Sequence, residues 1–157
     1  PPVRDQPGSL ARMELGLAYV LTVPGLPVIY YGDEIGMTGA GDPDNRRDMR
    51  WGDAVTPEED AHRARIARLV EIRREAPALR HGTYETLEAT DTLWVFERRL
   101  PGQPVLVALN TGVEDAVYEA SGVWDEVTDL VEGAEVMRDL APFRFAVPAG
   151  GYRIFAR

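Results

Sequence analysis

Residues 24–51, PGLPVIYYGDEIGMTGAGDPDNRRDMRW, constrain this chain more than any other stretch. A short apolar run, Val28–Tyr31, passes straight into a glycine-rich, charged loop. A strand apolar on both faces belongs inside a parallel sheet that is covered on both sides. In a parallel barrel, the loop leaving the C-terminal end of a strand is where ligands are handled. The expectation is therefore a barrel strand over Pro27–Tyr31 with a ligand-facing loop after it. The other strands that such a barrel needs are missing from the 157 residues.

The flanks agree with half of a βαβ unit. Residues 8–23 place Leu10, Met13, Leu17, Ala18 and Leu21 at helical spacing behind Ser9, which is expected to cap the helix. Pro24 and Gly25 end it. A second helix starts at Thr56-Pro57-Glu58-Glu59, a capping box with proline at the first helical position, and runs to about Glu75. Its basic residues from Arg63 to Arg74 alternate with acids and read as a solvated face, with His62 at the surface. From Thr83 onward the pattern changes. Runs rich in Val, Thr, Tyr, Phe and Trp recur every ~8–12 residues, separated by Pro-Gly, Asn-Thr-Gly and Gly-Gly turns. The runs are Tyr84–Glu88, Leu93–Arg99, Val105–Asn110, Ala116–Ala120, a weak one near Val123–Val131, Arg144–Val147 and Tyr152–Ala156. This is an antiparallel β-sandwich signature, which places a boundary near residue 82. Trp94 and Trp124 are expected in its core or against the helices.

Charge and composition exclude several classes. With 17 basic and 26 acidic residues the net charge is −9, so no nucleic-acid partner is expected. No apolar run reaches ~18 residues, so no membrane-spanning helix is expected. There is no cysteine, which removes disulfides and thiolate metal sites and leaves the compartment open. His62 and His81 lie far apart, so no metal centre and no cofactor are implied. The start at Pro1, PPVRDQPG, reads as an internal position in a longer gene product.

The stretch Gly25-Leu26-Pro27-Val28-Ile29-Tyr30-Tyr31-Gly32-Asp33-Glu34-Ile35-Gly36-Met37 closely resembles the eighth-strand region of the α-amylase superfamily, glycoside hydrolase family 13. The continuation through Gly41-Asp42-Pro43-Asp44-Asn45-Arg46 resembles the neopullulanase, cyclomaltodextrinase and maltogenic amylase branch. Glu75-Ala76-Pro77-Ala78-Leu79-Arg80-His81-Gly82 is similar to the family's last barrel helix. The resemblance implies an α/β plus all-β chain. Residues 1–82 would be the C-terminal end of a TIM (β/α)8 barrel, and residues 83–157 the C-terminal antiparallel β-sandwich. It implies a retaining α-glucan hydrolase acting on α-1,4 bonds of maltooligosaccharides, cyclodextrins, pullulan or starch. A transferase or isomerase of the family, such as a trehalose synthase, and a non-catalytic carbohydrate-binding module are the alternatives.

Retaining glycosidases need two carboxyl groups about 5–5.5 Å apart. In the family these come from earlier strands, which would lie upstream of Pro1. No catalytic carboxylate is therefore expected here, and the chain alone is expected to be inactive. The adjacent Asp33 and Glu34 are not that pair, because neighbours on extended backbone diverge. They are expected, with Tyr31, to support the loop. The resemblance places Asp42 and Arg46 on the substrate at subsite −2. Asp-Pro-Asp-Asn is also strong turn chemistry by itself, with Arg46 paired to Asp42, and the residues leave both readings open. Trp51 reads as a loop anchor or, less simply, a sugar-stacking ring. An unpartnered barrel strand exposes apolar surface and an unpaired edge. The expected partners are therefore an α-glucan and either a second copy or the missing part of the barrel.

Overall fold

The computed structural model describes residues 8–121, 124–133, 137–140 and 142–157. Residues 1–7, Val123 and the side chain of Trp124, which entered the expectations above, lie outside the described part. Pro1, ahead of which the catalytic carboxylates are expected, is among them, so that expectation stays one of sequence. Among the described residues, three helices come first: α1 (Ser9–Thr22), α2 (Pro57–Glu75) and α3 (Pro77–His81). Eight strands follow: β1 (Thr83–Ala89), β2 (Leu93–Arg99), β3 (Val105–Asn110), β4 (Ala116–Ala120), β5 (Trp124–Asp129), β6 (Met137–Leu140), β7 (Phe143–Val147) and β8 (Tyr152–Ala156).

The start of α1 differs from expectation. Gly8, not Ser9, is the capping residue, and no side chain caps the end. The chain enters the helix with φ +73° at Gly8, which favours a residue without Cβ. Ser9 is thereby drawn inside the helix and is buried. The start of α2 follows its sequence. Glu59 donates its amide to Thr56 Oγ1 at 3.3 Å, and Thr56 donates its amide to Glu59 Oε2 at 2.8 Å.

The solvated-face reading of α2 holds for Arg63, Arg65 and Arg74, which are exposed, but the buried stripe corrects it for Arg73 and for His62. Glu59, His62, Ile66, Leu69, Ile72 and Arg73 are all buried, and His62 is completely enclosed. Three- and four-residue spacing puts His62 and Arg73 on the same stripe as Ile66 and Leu69, so their position overrides their polarity. Arg73 donates to the carbonyls of Leu21 (2.7 Å) and Gly25 (2.7 Å), while Arg98 of β2 donates to those of Thr22 (2.7 Å), Leu79 (2.9 Å) and Gly82 (2.9 Å). The last carbonyls of α1 lack intrahelical partners and carry partial negative charge. Two guanidiniums satisfy them where water cannot reach. Burial, and after it the neighbouring Arg73, pulls Arg98 below its usual pKa.

The strands form a six-stranded sheet in the order β1-β2-β3-β8-β5-β6, and β4 pairs with β7 in a second layer. Every pairing is antiparallel. Side-chain alternation splits the core in two. Phe96, Val105, Val107, Leu109 and Ile154 face α1, α2 and α3. Leu93, Val95, Leu106, Ala108 and Phe155 face Tyr118, Phe143 and Val147 of the second layer. Strand β3 is therefore buried at all six positions, which explains its apolar run from Val105 to Leu109. Strand β6 was not expected. Its four residues include Arg138 and Asp139, carry no apolar alternation, and among the described residues pair with β5.

Pro27–Tyr31 is the larger correction. Residues 26–30 carry no strand assignment, and among the described residues no strand pairs with them. A strand exists through its ladder bonds, and the described residues bring no neighbour to this place. The period of two survives in the burial. Leu26 (95%), Val28 (78%) and Tyr30 (48%) are exposed, whereas Pro27 and Ile29 are half-buried, with Ile29 against the helical core. One apolar face is covered by helices and the opposite face is bare. Trp94 packs against Tyr19 of α1 with ring centroids 5.6 Å apart, so it joins the sheet to the helices.

Candidate functional site

The loop that leaves Tyr31 is built from three short 3-10 turns, Asp33–Ile35, Asp44–Arg46 and Gly52–Ala54. The first is flanked by two glycines at positive φ. A Cβ on Gly32 would meet Met37 Sδ at 2.9 Å, and one on Gly36 would meet Leu10 Cδ2 at 2.2 Å. Those close approaches, together with φ of +92° and +63°, demand glycine at both places. Ile35, between them, is 1% exposed and anchors the turn.

Asp33 and Glu34 lie on this turn and not on extended backbone. Their side chains diverge for another reason: a 3-10 helix has three residues per turn, so neighbours point about 120° apart. Glu34 Oε2 accepts the Gly32 amide at 2.7 Å. The Asp33 carbonyl lies 3.3 Å from His62 Nε2. Burial pushes the Asp33 carboxyl up, partly countered by the Tyr30 amide. Tyr31 donates its hydroxyl to the Arg47 carbonyl at 3.1 Å, across the loop.

The second turn is held by a residue pair that the motif resemblance does not single out. Arg47 grips Asp44 through two parallel bonds, Nε to Oδ1 and Nη2 to Oδ2, both 2.8 Å. Asp44 Oδ2 also accepts the Ala40 amide at 2.8 Å. The signal was present as an Asp-x-x-Arg spacing. Asp42 and Arg46 pair with each other, with side chains 69% and 60% exposed. A cavity of 250 Å³ opens within the loop, lined among others by Tyr30, Tyr31, Asp33, Thr38, Asn45 and Arg47. Asp42 and Arg46 stand outside it. Thr38 and Asn45 are thus additional polar groups at the site.

The Ala40 amide and Arg47 hold the Asp44 carboxyl below its usual range. Its folded value is depressed, so its contribution to loop order is present above the ordinary carboxylate value and is lost as pH falls through the depressed one. The expected result is a loop that keeps its order at mildly acidic pH and loses it only below the ordinary aspartate range. An NMR titration following the Ala40 amide checks this, and a midpoint above that range would refute it.

The loop ends at α2. Arg50 donates to Glu59 Oε2 at 3.0 Å and to the Ala54 carbonyl at 2.9 Å. Trp51 is 69% exposed, so its ring does not anchor the loop by burial.

No family model matches the chain. It is 40% identical over 135 residues to a cyclomaltodextrinase of Thermoanaerobacter pseudethanolicus, covering 83% of this chain and 22% of that protein. It is 33% identical over 131 residues to a cyclomaltodextrin glucanotransferase of Thermoanaerobacterium thermosulfurigenes, covering 80% of this chain and 18% of that protein. The crystal structure of an Anoxybacillus α-amylase superposes with a TM-score of 0.81 at 28% identity, over 94% of this chain and 32% of that one. This chain belongs to the α-amylase superfamily, glycoside hydrolase family 13. It spans about a fifth of the length of these two family members, 22% and 18% respectively. The fold expected of a family 13 chain holds: the end of a TIM barrel followed by an antiparallel β-sandwich.

Proposed function

We propose that this chain is the C-terminal part of a retaining α-glucan hydrolase and that it positions substrate without supplying the reacting carboxylates, which belong to strands upstream of Pro1. Residues 1–82 close the barrel, and residues 83–157 form the supporting sandwich. The observation that carries the reading is the exposed Asp42–Arg46 pair, set on a tight turn just beyond the uncovered apolar segment. A carboxylate accepts from sugar hydroxyls, and a guanidinium donates through a fixed fork. Asp33, Glu34 and Tyr31 support that loop from within. The backbone edges of residues 26–30 pair with the remaining barrel strands or, lacking them, with a second copy. Similarity to a cyclomaltodextrinase supports α-1,4-glucan as the substrate class. The one second reading with a specific observation behind it is glucosyl transfer, favoured by the similarity to a glucanotransferase.

The test has two arms. The 157-residue chain alone is expected to leave a chromogenic maltooligosaccharide intact, and hydrolysis would refute the division of labour. In the enzyme containing the upstream strands, Arg46→Ala is expected to raise KM about 10- to 100-fold, since a bond to a charged group is worth about 1.5–3 kcal/mol. An unchanged KM in Arg46→Ala and Asp42→Ala would remove these residues from the site. Product analysis separates hydrolysis from transfer.

A further inference from the structure

Arg46 and Arg47 are neighbours with different partners. Arg46 pairs with Asp42, and both side chains stand in solvent. Arg47 turns back to the loop itself. Its Nε and Nη2 donate to the two oxygens of Asp44 at 2.8 Å each, and its Nη1 reaches Thr38 Oγ1 at 3.3 Å. Its carbonyl accepts the Tyr31 hydroxyl at 3.1 Å. Asp44 extends the hold. Its Oδ2 accepts the Ala40 amide at 2.8 Å, and its own amide donates to the Gly41 carbonyl at 2.9 Å. The entering and leaving limbs of the turn meet at Gly39, where a Cβ would lie 2.8 Å from the Asn45 Cα. Among the described residues, every hydrogen bond and ion pair of residues 38–47 ends within residues 31–47. The turn thus draws no bond from the helices or the sandwich. The Arg47 and Asp44 side chains are 50% and 40% exposed, so their pair adds little to global stability. What a two-pronged fork supplies at such a place is direction.

We propose that Arg47 is a positioning residue for the glucan: it holds the turn 38–47 rigid before substrate arrives, so that Asp42 and Arg46 meet the sugar already oriented. This rests on the reading of Asp42 and Arg46 as the glucan contacts. A carboxylate and a guanidinium on a loose loop lose conformational freedom when they bind. On a fixed turn the backbone part of that freedom is already gone, and affinity gains by the difference. That reading puts the reacting carboxylates elsewhere, so the effect falls on binding: KM moves and kcat does not.

Two measurements test it. In the 157-residue chain, Arg47→Ala is expected to lower the NMR backbone order parameters of residues 40–46 from about 0.85 to below about 0.6, with the denaturant midpoint unchanged. A turn that stays equally rigid would overturn the proposal. In the enzyme containing the upstream strands, Arg47→Ala is expected to raise KM for a maltooligosaccharide about 3- to 10-fold at unchanged kcat. Gly39→Ala, which forces the two limbs apart, is expected to act in the same direction. A double-mutant cycle separates positioning from contact. With Asp42 and Arg46 both replaced by alanine, Arg47→Ala is expected to add nothing, because the groups it holds are gone. A full further rise in KM would overturn the proposal by showing that Arg47 itself touches the sugar. A raised KM in Arg46→Ala beside an unchanged one in Arg47→Ala would overturn the positioning role alone. An unchanged KM in Arg46→Ala beside a loosened turn in Arg47→Ala would refute the glucan reading, and this inference with it.

Discussion

Replacing Arg98 by methionine is expected to lower the unfolding free energy by about 3 kcal/mol, more than any exposed substitution in this chain. Arg98 is 1% exposed, and its guanidinium donates to three carbonyls, those of Thr22, Leu79 and Gly82. Each buried acceptor left without a partner costs about 1–3 kcal/mol. Two effects oppose this. Methionine restores apolar contact, and the change removes both the desolvation of a charge and its repulsion by Arg73. The carbonyls decide the balance, because one of them ends α1, where the helix dipole favours a cation. Arg98→Lys is expected to recover only part of the loss, since a compact ammonium does not match a rigid fork. Denaturant unfolding of the three proteins measures the differences. A loss below about 1 kcal/mol for Arg98→Met would show that desolvation cancels the bonds.

Phe96→Ala is expected to cost about 3–5 kcal/mol, within the range for emptying a large buried aromatic. Phe96 has no exposed surface, and its ring lies 5.2 Å from those of both Trp94 and Tyr84. Its location gives the experiment a second reading. The cluster around it contains Leu17 and Ala18 of α1, Ile66 and Leu69 of α2, Leu79 of α3, and Val107 and Ile154 of the sheet. The helices and the sandwich therefore share one core. A single cooperative transition is expected in both the unsubstituted chain and the variant, with coincident calorimetric and circular dichroism curves. Two separated transitions would show that the helical part and the sandwich fold independently.

Legibility varied with the kind of signal. The Thr56–Glu59 capping box and the strand runs at Leu93–Arg99, Val105–Asn110 and Tyr152–Ala156 reappear in the structure with matching bounds or nearly so. Each is local: a cap or an alternating pattern is satisfied by residues a few positions away. Strand β6 was missed because Met137–Leu140 is short and charged, and only pairing with β5 makes it a strand. Pro27–Tyr31 failed in the opposite direction. Its pattern asks for two neighbours, and a pattern cannot supply them. At the site, Asp42 and Arg46 were singled out from motif resemblance. The bidentate Asp44–Arg47 clamp and the enclosed His62 were not, although both sit at readable helical or turn spacing.

The amino-acid order alone determined α2, most of the strands from Leu93 onward, where the apolar segment meets the glycine-rich loop, and which enzyme family the chain resembles, because these depend on short-range stereochemistry and residue spacing. Only the tertiary structure decided the fate of the charges. His62 and Arg73 read as surface residues and Arg98 as part of a strand, yet all three lie inside because the carbonyls of Leu21, Thr22, Gly25 and Asp33 converge where they sit. Those acceptors belong to segments distant in sequence. Their demand for donors exists only after α1, α2 and the sheet have come together and excluded water.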